Sequence, residues 1–379
     1  MNNTKIISAG LAIFTMLFGA GNVIFPLALG RDVGGMVGYA LLGFCLTAVI
    51  VPLLGIVATA LCDGDYKKLL GTLGQVPARI IALVCMVLIG PFGCIPRCVT
   101  LSYAAAQWYM PSVGLLPFSL AIGLLIAALT IRKNTIVNLM GRYLGPIKLC
   151  LLCAIIGIGL MYANTITPSS GSGLDAFSKG AFEGYGTMDL LGAIFFAGLI
   201  CRALRTSDQQ SSKEIAIMSV KAGIIGTSLL GLVYTGFCLL AALYAPVIQG
   251  VDKAQLLTAL ASLILGPLGG VLANVTIALT CLTTAMALTT VFAEYLHQEI
   301  VGGRLSYTTS LAMTVATTCF MTNLGFSGLM AFIEPIIVVC YPGLIVLALV
   351  NLAHKLFGFT HVRIPVLTTL VVFLCMKCW

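Results

Sequence analysis

Charged side chains are scarce in this chain. Asp, Glu, Lys and Arg together make up 8% of its 379 residues, whereas soluble proteins carry about 25%. The hydrophobic share is 60% and the mean hydropathy is +1.09. A soluble fold cannot bury this much apolar surface, so the composition predicts a polytopic membrane protein.

Histidine is also rare, with 3 residues, and the sequence contains no phosphate-binding loop and no nucleophile–base arrangement. The 14 cysteines lie mostly in apolar runs, where cysteine behaves as a small hydrophobe. Three pairs have the spacing of zinc ligands but lack a nearby histidine or polar loop. These pairs are Cys94/Cys98, Cys150/Cys153 and Cys375/Cys378. We therefore expect neither an enzyme nor a cofactor, and no nucleic-acid partner despite the net charge of +8.

Eleven apolar stretches are long enough to cross, or nearly cross, a lipid bilayer. One of them, 327–352, contains Pro335 and Pro342, so it reads either as one kinked crossing or as two short ones. All eleven belong to one membrane domain, 1–379, with an all-α fold. The predicted limits are 6–28, 36–61, 79–106, 113–131, 145–163, 187–204, 219–245, 265–296, 307–323, 327–352 and 364–378.

The basic residues predict the orientation, because they are enriched in cytoplasmic loops. With a cytoplasmic N-terminus and a single crossing for 327–352, 15 of the 20 Lys and Arg residues lie on the cytoplasmic side and four lie outside. Lys148 counts among the 15 and Arg97 lies within the third stretch. A double crossing would move Lys355 and Arg363 outside, so the bias favours the single crossing. No cleavable signal peptide is expected.

The stretch Phe14–Pro26, FTMLFGAGNVIFP, interrupts the first apolar helix with small residues, a polar Asn22 and a proline. Glycine and proline weaken a helix, and freed backbone groups survive in lipid only where they line a cavity or contact protein. The pattern therefore predicts a discontinuous helix at a binding site. A helix–helix packing face explains the same glycines equally well.

Gly192 and Gly198 flank Phe195 and Phe196 in stretch 187–204, a pattern that predicts a second interrupted helix and that close packing explains equally well. The two interrupted stretches start about 180 residues apart, at corresponding positions of two five-span units. Five is an odd number, so the second unit is inverted relative to the first. We therefore predict a five-plus-five bundle with helices 1 and 6 broken. The units are 6–163 and 187–352, followed by an extra helix at 364–378.

Polar residues at membrane depth are the other candidates. Thr276, Thr280, Thr283 and Thr284 share one helical face. Their hydroxyls suit an alkali cation, although a membrane threonine usually bonds back to its own helix. The other candidates at membrane depth are isolated charged residues. Asp189 is interpreted as a helix cap, and Arg97 and Glu334 are functional candidates because intramembrane charges are costly.

Several motifs resemble the bacterial branched-chain amino acid:cation symporters. They are GLAIFTMLFGAGN and FGAGNVIFP in span 1, VPLLGIVATA in span 2, GYGTMDLLGAIFFAG at span 6 and LTCLTTAMALTT in span 8. The resemblance covers residues 6 to roughly 350. It implies a leucine-transporter-like inverted-repeat fold that imports leucine, isoleucine or valine with sodium.

The resemblance also implies roles for individual residues. The substrate carboxylate would meet Gly19, Ala20 and Gly21, and the substrate side chain would meet Gly192, Phe195 and Phe196. Sodium would be held by carbonyls near Thr15 and Phe18 and by Thr280, Thr283 and Thr284. Asn22 would serve a second cation or brace the break.

The expected protein is thus a sodium symporter for branched-chain amino acids in a bacterial inner membrane, with lipid as its surroundings. The alternatives are a carrier of the same fold for another neutral or aromatic amino acid, a proton-coupled carrier, or a channel. Members of the family usually have a twelfth span, whereas eleven are predicted here. The oligomeric state stays open.

Overall fold

The computed structural model describes residues 2–107, 109–132, 136–163, 171–205 and 211–378. These residues form helices, turns and loops, with no strand among them, which confirms the all-α prediction. The helices are α1 Asn2–Leu17, α2 Ala20–Val33, α3 Val37–Cys45, α4 Val51–Ala60, α5 Tyr66–Gly71, α6 Gln75–Ile89, α7 Cys94–Gln107, α8 Leu115–Thr130, α9 Ile136–Leu139, α10 Gly145–Met161, α11 Gly173–Tyr185, α12 Asp189–Leu204, α13 Ser212–Leu243, α14 Ala245–Ile248, α15 Leu256–Leu265, α16 Pro267–Tyr295, α17 Tyr307–Thr322, α18 Gly325–Phe357 and α19 Arg363–Cys378.

The helices have the length and hydropathy of membrane spans. Six helical segments of the described residues can each cross a bilayer, a bent pair gives a seventh, and four shorter apolar helices accompany them. The predicted total of eleven crossings stays a prediction. Helix α18 runs without interruption through Pro335 and Pro342, as expected if 327–352 crosses once; the single crossing stays a prediction.

The first span is interrupted inside the predicted stretch Phe14–Pro26. Helix α1 ends at Leu17 and α2 begins at Ala20. Between them Gly19 is extended, with φ −116° and ψ −156°. The last carbonyl groups of α1 and the first N–H groups of α2 therefore lack partners along the helix and are available to other groups.

The sixth span is interrupted as well, but not where its glycines predicted. Helix α12 passes through Gly192, Phe195, Phe196 and Gly198 without a break. The interruption lies earlier, between α11 and α12, where the two helices meet at 42°. The packing interpretation therefore holds for these glycines, and a break at them does not: a Cβ on Gly198 would lie 2.7 Å from the Gly64 carbonyl oxygen.

Helix α11 precedes the predicted stretch 187–204; residues 164–170 lie outside the described part. The helix packs along α3 through small residues on both sides. A Cβ on Gly180 would lie 2.0 Å from the Ala40 carbonyl oxygen, and one on Gly43 would lie 2.0 Å from that of Phe177. Such small-residue contacts allow membrane helices to approach closely. Helices α11 and α12 together have the length and hydropathy of one span, bent by 42° between them.

The broken spans pack reciprocally within one apolar core. The first span, α1 and α2, packs against α13, while the sixth span, α11 and α12, packs against α3 and α4. Span 1 therefore contacts span 7 as span 6 contacts span 2, an arrangement expected of two related halves. The division into repeats 6–163 and 187–352 itself stays a prediction. Helix α16 lies alongside α7 and contacts α1, which places the threonine row near the first break.

The α3–α11 contact gives a testable matched pair of substitutions. Gly43→Ala places a methyl group against the backbone of α11, and overpacking of this kind costs about 1–3 kcal/mol. Gly38, on the same helix, has nothing within 4 Å of its Cβ position. Gly38→Ala should therefore be neutral or stabilise by up to about 1 kcal/mol through helix propensity. Thermal unfolding in detergent measures both; equal Tm values for the two variants would contradict this packing.

Candidate functional site

A small cavity lies between the two interrupted helices. Its volume is about 20 Å³, room for about one water molecule, whereas ligand pockets typically measure about 300–1,000 Å³. The helices must therefore separate before a small organic molecule can enter. The lining includes Leu17, Gly19, Ala20, Asn22, Arg97, Met188, Asp189, Gly192, Phe196, Thr284 and Leu288.

Asn22 braces the first break against the second. Its Oδ1 accepts a hydrogen bond from the Gly19 N–H at 2.9 Å. Its Nδ2 donates to both carboxyl oxygens of Asp189 at 2.8 Å and contacts the Tyr234 hydroxyl. Tyr234 in turn donates to Asp189 Oδ2 at 2.6 Å. The side chain of Asn22 therefore joins α2, α12 and α13 in one buried polar cluster.

Asp189 is a member of this cluster and also lies at the amino end of its helix. It is the first residue of α12, and the residue before it, Met188, has the positive φ of 61°. Its carboxyl oxygens accept hydrogen bonds from Asn22 Nδ2 and from the Tyr234 hydroxyl. Asp189 therefore lies at the amino end of its helix, as predicted, where the dipole favours a carboxylate, and its hydrogen-bond donors come from α2 and α13.

Arg97 holds the second break. Its side chain is 2% exposed, and its guanidinium donates to the Gly186 carbonyl at 2.8 Å and to the Thr187 carbonyl at 3.5 Å. Gly21 makes room for it, since a Cβ there would lie 2.6 Å from Arg97 Nη2. The positive charge thus lies at the carboxyl end of α11, where the helix dipole favours it.

The predicted substrate residues divide between three places. Gly19, Ala20, Gly192 and Phe196 line the central cavity together. Gly21 faces Arg97 and the Gly186 carbonyl. Phe195 is turned away, into a separate cavity of about 300 Å³ that ends at the face carrying Lys67 and Arg202, and its ring lies 4.8 Å from that of Tyr66.

The predicted cation ligands meet at the carboxyl end of α1. Thr284 Oγ1 donates to the Phe18 carbonyl at 3.0 Å and lies 3.5 Å from that of Thr15. Thr283 is the next residue of the same helix, and its hydroxyl donates to the Thr280 carbonyl at 3.0 Å. The Thr280 hydroxyl is buried and has no hydrogen-bond partner within the described part of the chain. We call the Thr15 and Phe18 carbonyls with the Thr283 and Thr284 hydroxyls the α1–α16 oxygen cluster.

The other two predicted polar ligands lie elsewhere. Thr276 donates to the carbonyl of Leu272, four residues earlier, at 2.7 Å, which is the usual behaviour of a membrane threonine. Asn22 lies in the cluster with Asp189, where its amide atoms are bonded to protein. These contacts support its role as a brace; binding of a second cation stays a prediction.

Lys148 occupies the oxygen cluster. Its Nζ donates to the Thr15 carbonyl at 3.0 Å, to Thr283 Oγ1 at 3.2 Å and to the Phe18 carbonyl. The side chain is fully buried. Assigning Lys148 to the cytoplasmic charges was therefore wrong, because α10 directs it into the bundle. A lysine inside the run GPIKLCLLCAIIGIG is the sequence signal that could have identified it, as an intramembrane charge.

Ion pairs join the helices around the second cavity. Arg202 on α12 makes a bidentate pair with Glu294 on α16, at 2.9 and 3.2 Å. Lys67 pairs with Glu299. A bidentate pair of this type fixes the relative orientation of the two side chains in addition to attracting them. They hold α12 and the α4–α5 region against the end of α16, on the opposite side of Phe195 from the central cavity.

Tyr234 was not predicted as a site residue from the sequence, whereas Glu334 was. Tyr234 lies in the site but carried no signal beyond a hydroxyl in an apolar helix. Glu334, predicted as a functional charge, is exposed on α18. Arg97 donates instead to the Gly186 and Thr187 carbonyls and to Cys94 Sγ. The Glu334 prediction therefore finds no support in a buried contact.

Solved structures share this architecture. The chain resembles Mhp1, a nucleobase-cation-symport-1 family transporter in a closed conformation, with a TM-score of 0.67 and 13% identity over 98% of this chain and 90% of that one. It also resembles a Na+-coupled sialic acid symporter, with a TM-score of 0.63 and 10% identity over 97% and 88% of the two chains. At such identity the likeness concerns the fold, and it confirms the predicted leucine-transporter-like class.

Sequence relatives identify the family. The branched-chain amino acid transport system 3 carrier protein of Pseudomonas aeruginosa is 33% identical, over 98% of this chain and 86% of the relative. The branched-chain amino acid permease BraB of Bacillus subtilis is 32% identical, over 92% of this chain and 80% of the relative. The family described as branched-chain amino acid transport protein matches residues 2–378. The chain therefore belongs to the branched-chain amino acid transport protein family and is a multi-pass membrane transporter rather than an enzyme.

Proposed function

We propose that this protein imports leucine, isoleucine and valine by symport with a cation. The observation that carries the proposal is the meeting of two interrupted helices, α1–α2 and α11–α12, across one central cavity. Broken helices that face each other in this way form the substrate sites of inverted-repeat transporters. The names of the sequence relatives support the substrate class.

The first break suits the carboxylate of an amino acid. Gly19 and Ala20 lie at the amino end of α2 and line the cavity. A helix amino terminus presents free N–H groups and positive dipole charge to an anion. The first turn of α2 is therefore the proposed carboxylate site.

The opposite wall of the cavity suits a branched aliphatic side chain. Leu17, Gly192, Phe196 and Leu288 form an apolar surface there. The charged residues of the lining, Arg97 and Asp189, are engaged with the breaks. The site thus offers apolar contact to the substrate side chain and no obvious partner for a charged one.

The coupling cation belongs at the α1–α16 oxygen cluster. Carbonyl and hydroxyl oxygens are hard ligands, and the carboxyl end of a helix attracts positive charge. Sodium is the ion predicted from the sequence. A proton is the alternative, because Lys148 already places an ammonium group among the same oxygens.

Import follows from alternating access in a bacterial inner membrane with a cytoplasmic N-terminus. In this orientation the cavity beneath Phe195 opens towards the cytoplasm. Movement of α12 against α16, with rearrangement of the Arg202–Glu294 pair, would connect that cavity to the central one. Release of the substrate would then require that α12 and α16 separate, and no additional pore would be needed.

Two neighbouring aromatic residues test the substrate position. Phe196→Ala removes a ring from the central cavity, so we expect uptake of phenylalanine to improve relative to isoleucine by about 10-fold, a typical effect of pocket size. Phe195→Ala is the matched control, because its ring faces the second cavity and should leave this ratio unchanged. Competition between labelled isoleucine and unlabelled phenylalanine measures the ratio. If Phe195→Ala changes this ratio and Phe196→Ala does not, the substrate side chain binds outside the central cavity.

The proposed function is tested by uptake of labelled isoleucine into proteoliposomes that contain the purified protein. Saturable uptake, inhibited by leucine and valine and driven by an imposed sodium or proton gradient, is the expected result. Preferential uptake of aromatic amino acids would mean that the substrates are aromatic rather than branched-chain, with the same transport mechanism. Flux that increases linearly with concentration and shows no exchange would indicate a channel.

A further inference from the structure

Lys148 forms a built cation site with the α1–α16 oxygen cluster. An ammonium group has three N–H donors. Three acceptors surround Lys148 Nζ: the carbonyls of Thr15 and Phe18 and the hydroxyl of Thr283. The donors and acceptors match in number, and the side chain is fully buried. The site is therefore complete with the lysine in place.

We propose that the Lys148 ammonium group is the resident cation of the α1–α16 oxygen cluster, that it excludes a sodium ion from this site, and that it carries the coupling proton. The coupling part of this inference rests on the proposed function, whereas the exclusion of sodium does not. A sodium ion would need the same carbonyl and hydroxyl oxygens. Two positive charges on one set of oxygens repel each other, so the occupants are mutually exclusive.

The packing of α10 places Lys148 in this position. A Cβ on Gly141 would lie 2.1 Å from the Ser8 carbonyl oxygen, and one on Gly145 would lie 2.6 Å from Thr15 Oγ1. These glycines allow the segment that leads into α10 to contact α1. Lys148 follows one turn later, on the same face, and its amine reaches the end of α1.

The surroundings stabilise a positive charge without an acidic partner. The described residues contain no ion pair to Lys148. The groups around it that can titrate are the thiols of Cys98 on α7 and Cys281 on α16; α1 contributes neutral carbonyls and aromatic faces. The rings of Phe14 and Phe18 lie 5.8 and 5.1 Å from Nζ, within range of cation–π attraction. The charge is thus balanced by dipoles and rings.

Loss of one proton changes these contacts. The ammonium group transfers a proton to water, which leaves a neutral amine and a hydronium ion. The neutral amine has only two N–H donors for three acceptors, and it no longer attracts the negative end of the α1 dipole. The contact between α1, α10 and α16 is then weaker, which couples protonation of Lys148 to the separation of these helices.

The first test measures sodium binding without transport. The Tm of the purified protein is compared in sodium, potassium and N-methylglucamine salts at equal ionic strength. We expect no sodium-specific change in the wild type. Lys148→Ser removes the charge and leaves space and a hydroxyl, so sodium should raise its Tm by about 2–4 °C at a roughly tenfold excess over Kd. A saturable sodium effect on the wild type that Lys148→Ser lacks would overturn the proposal.

A second Lys148 variant keeps the test valid if Lys148→Ser does not fold. Lys148→Met keeps the length of the side chain and fills the site without charge, so its Tm should be insensitive to sodium. Lys221→Met is the matched control, because Lys221 is exposed on α13, and it should behave as the wild type. If neither Lys148 variant folds, the wild-type measurement alone decides whether sodium enters the site.

Transport then tests the proton. Wild-type isoleucine uptake should continue when N-methylglucamine replaces sodium and should change with pH, whereas Lys148→Met should lose the pH response. Strict dependence of wild-type uptake on sodium, retained in Lys148→Met, would overturn the proposal. Absence of any isoleucine uptake by the wild type would refute the proposed function instead, and the Tm comparison would still decide the occupancy of the site.

Discussion

Replacement of Asn22 by alanine is expected to reduce isoleucine uptake by about 100-fold or more. The substitution leaves the Gly19 N–H without its acceptor and removes the Nδ2 donor from the buried carboxyl of Asp189. An unsatisfied buried group costs about 1–3 kcal/mol, and more when it is charged. Since 1.36 kcal/mol corresponds to tenfold in rate, two such groups at the two helix breaks account for the expected loss.

Asn22→Asp separates the hydrogen bonds from the shape of the side chain. Aspartate has the size of asparagine but lacks the amide donor, and it would face the Asp189 carboxyl. Like charges at this distance repel, or one group must remain protonated. We therefore expect uptake by Asn22→Asp to be at least as low as by Asn22→Ala. Tyr234→Phe removes only one of the donors to Asp189 and should have a smaller effect than either.

Asn351 provides the matched control for Asn22. Both asparagines are 1% exposed, but Asn351 donates to the Leu347 carbonyl within its own helix at 2.9 Å. Asn351→Ala should therefore lower the Tm somewhat and leave the substrate concentration at half-maximal uptake unchanged. Initial rates in proteoliposomes with equal amounts of protein measure both variants. Wild-type rates for Asn22→Ala would show that the link between the two breaks is dispensable.

The sequence predicted the first break but misplaced the second, for a physical reason. Glycine signals both broken helices and close helix packing, and the two uses look alike in a sequence. At the first break Gly19 is extended. In α12 the glycines pack against neighbours, and the interruption passes through Met188, whose left-handed backbone has no signature in its residue type.

The oxygen cluster was predicted in part. The threonine row placed Thr283 and Thr284 on the correct face, because the helical period determines which residues share a face. The same period could not distinguish them from Thr276, which bonds to its own helix. Lys148 was missed because it lies near the end of an apolar stretch. Whether such a lysine faces water or the bundle depends on the approach of α10 to α1, which a single sequence does not encode locally.

Arg97 is the other residue whose replacement should reduce uptake strongly. Arg97→Met should reduce uptake by about 10–100-fold, because it removes a charged donor from the Gly186 and Thr187 carbonyls. Hydrogen bonds to charged groups contribute about 1.5–3 kcal/mol. Arg97→Lys should be intermediate, since an ammonium group is a point charge and cannot reproduce the guanidinium fork. Arg79→Met, at an exposed arginine, is the control and should be close to wild type.

Gly21 allows a sharper test of the same contact. Gly21→Ala directs a methyl group towards Arg97 Nη2, which lies 2.6 Å from the Cβ position, so the guanidinium must move away from the second break. In the wild-type background we expect a loss comparable to that of Arg97→Met. In the Arg97→Met background the flexible thioether yields more easily, and the additional loss should be much smaller. Residues in contact show such non-additivity, of about 0.5–3 kcal/mol, whereas independent sites add. Additive losses in the double variant would mean that Gly21 acts on the substrate site directly rather than through Arg97.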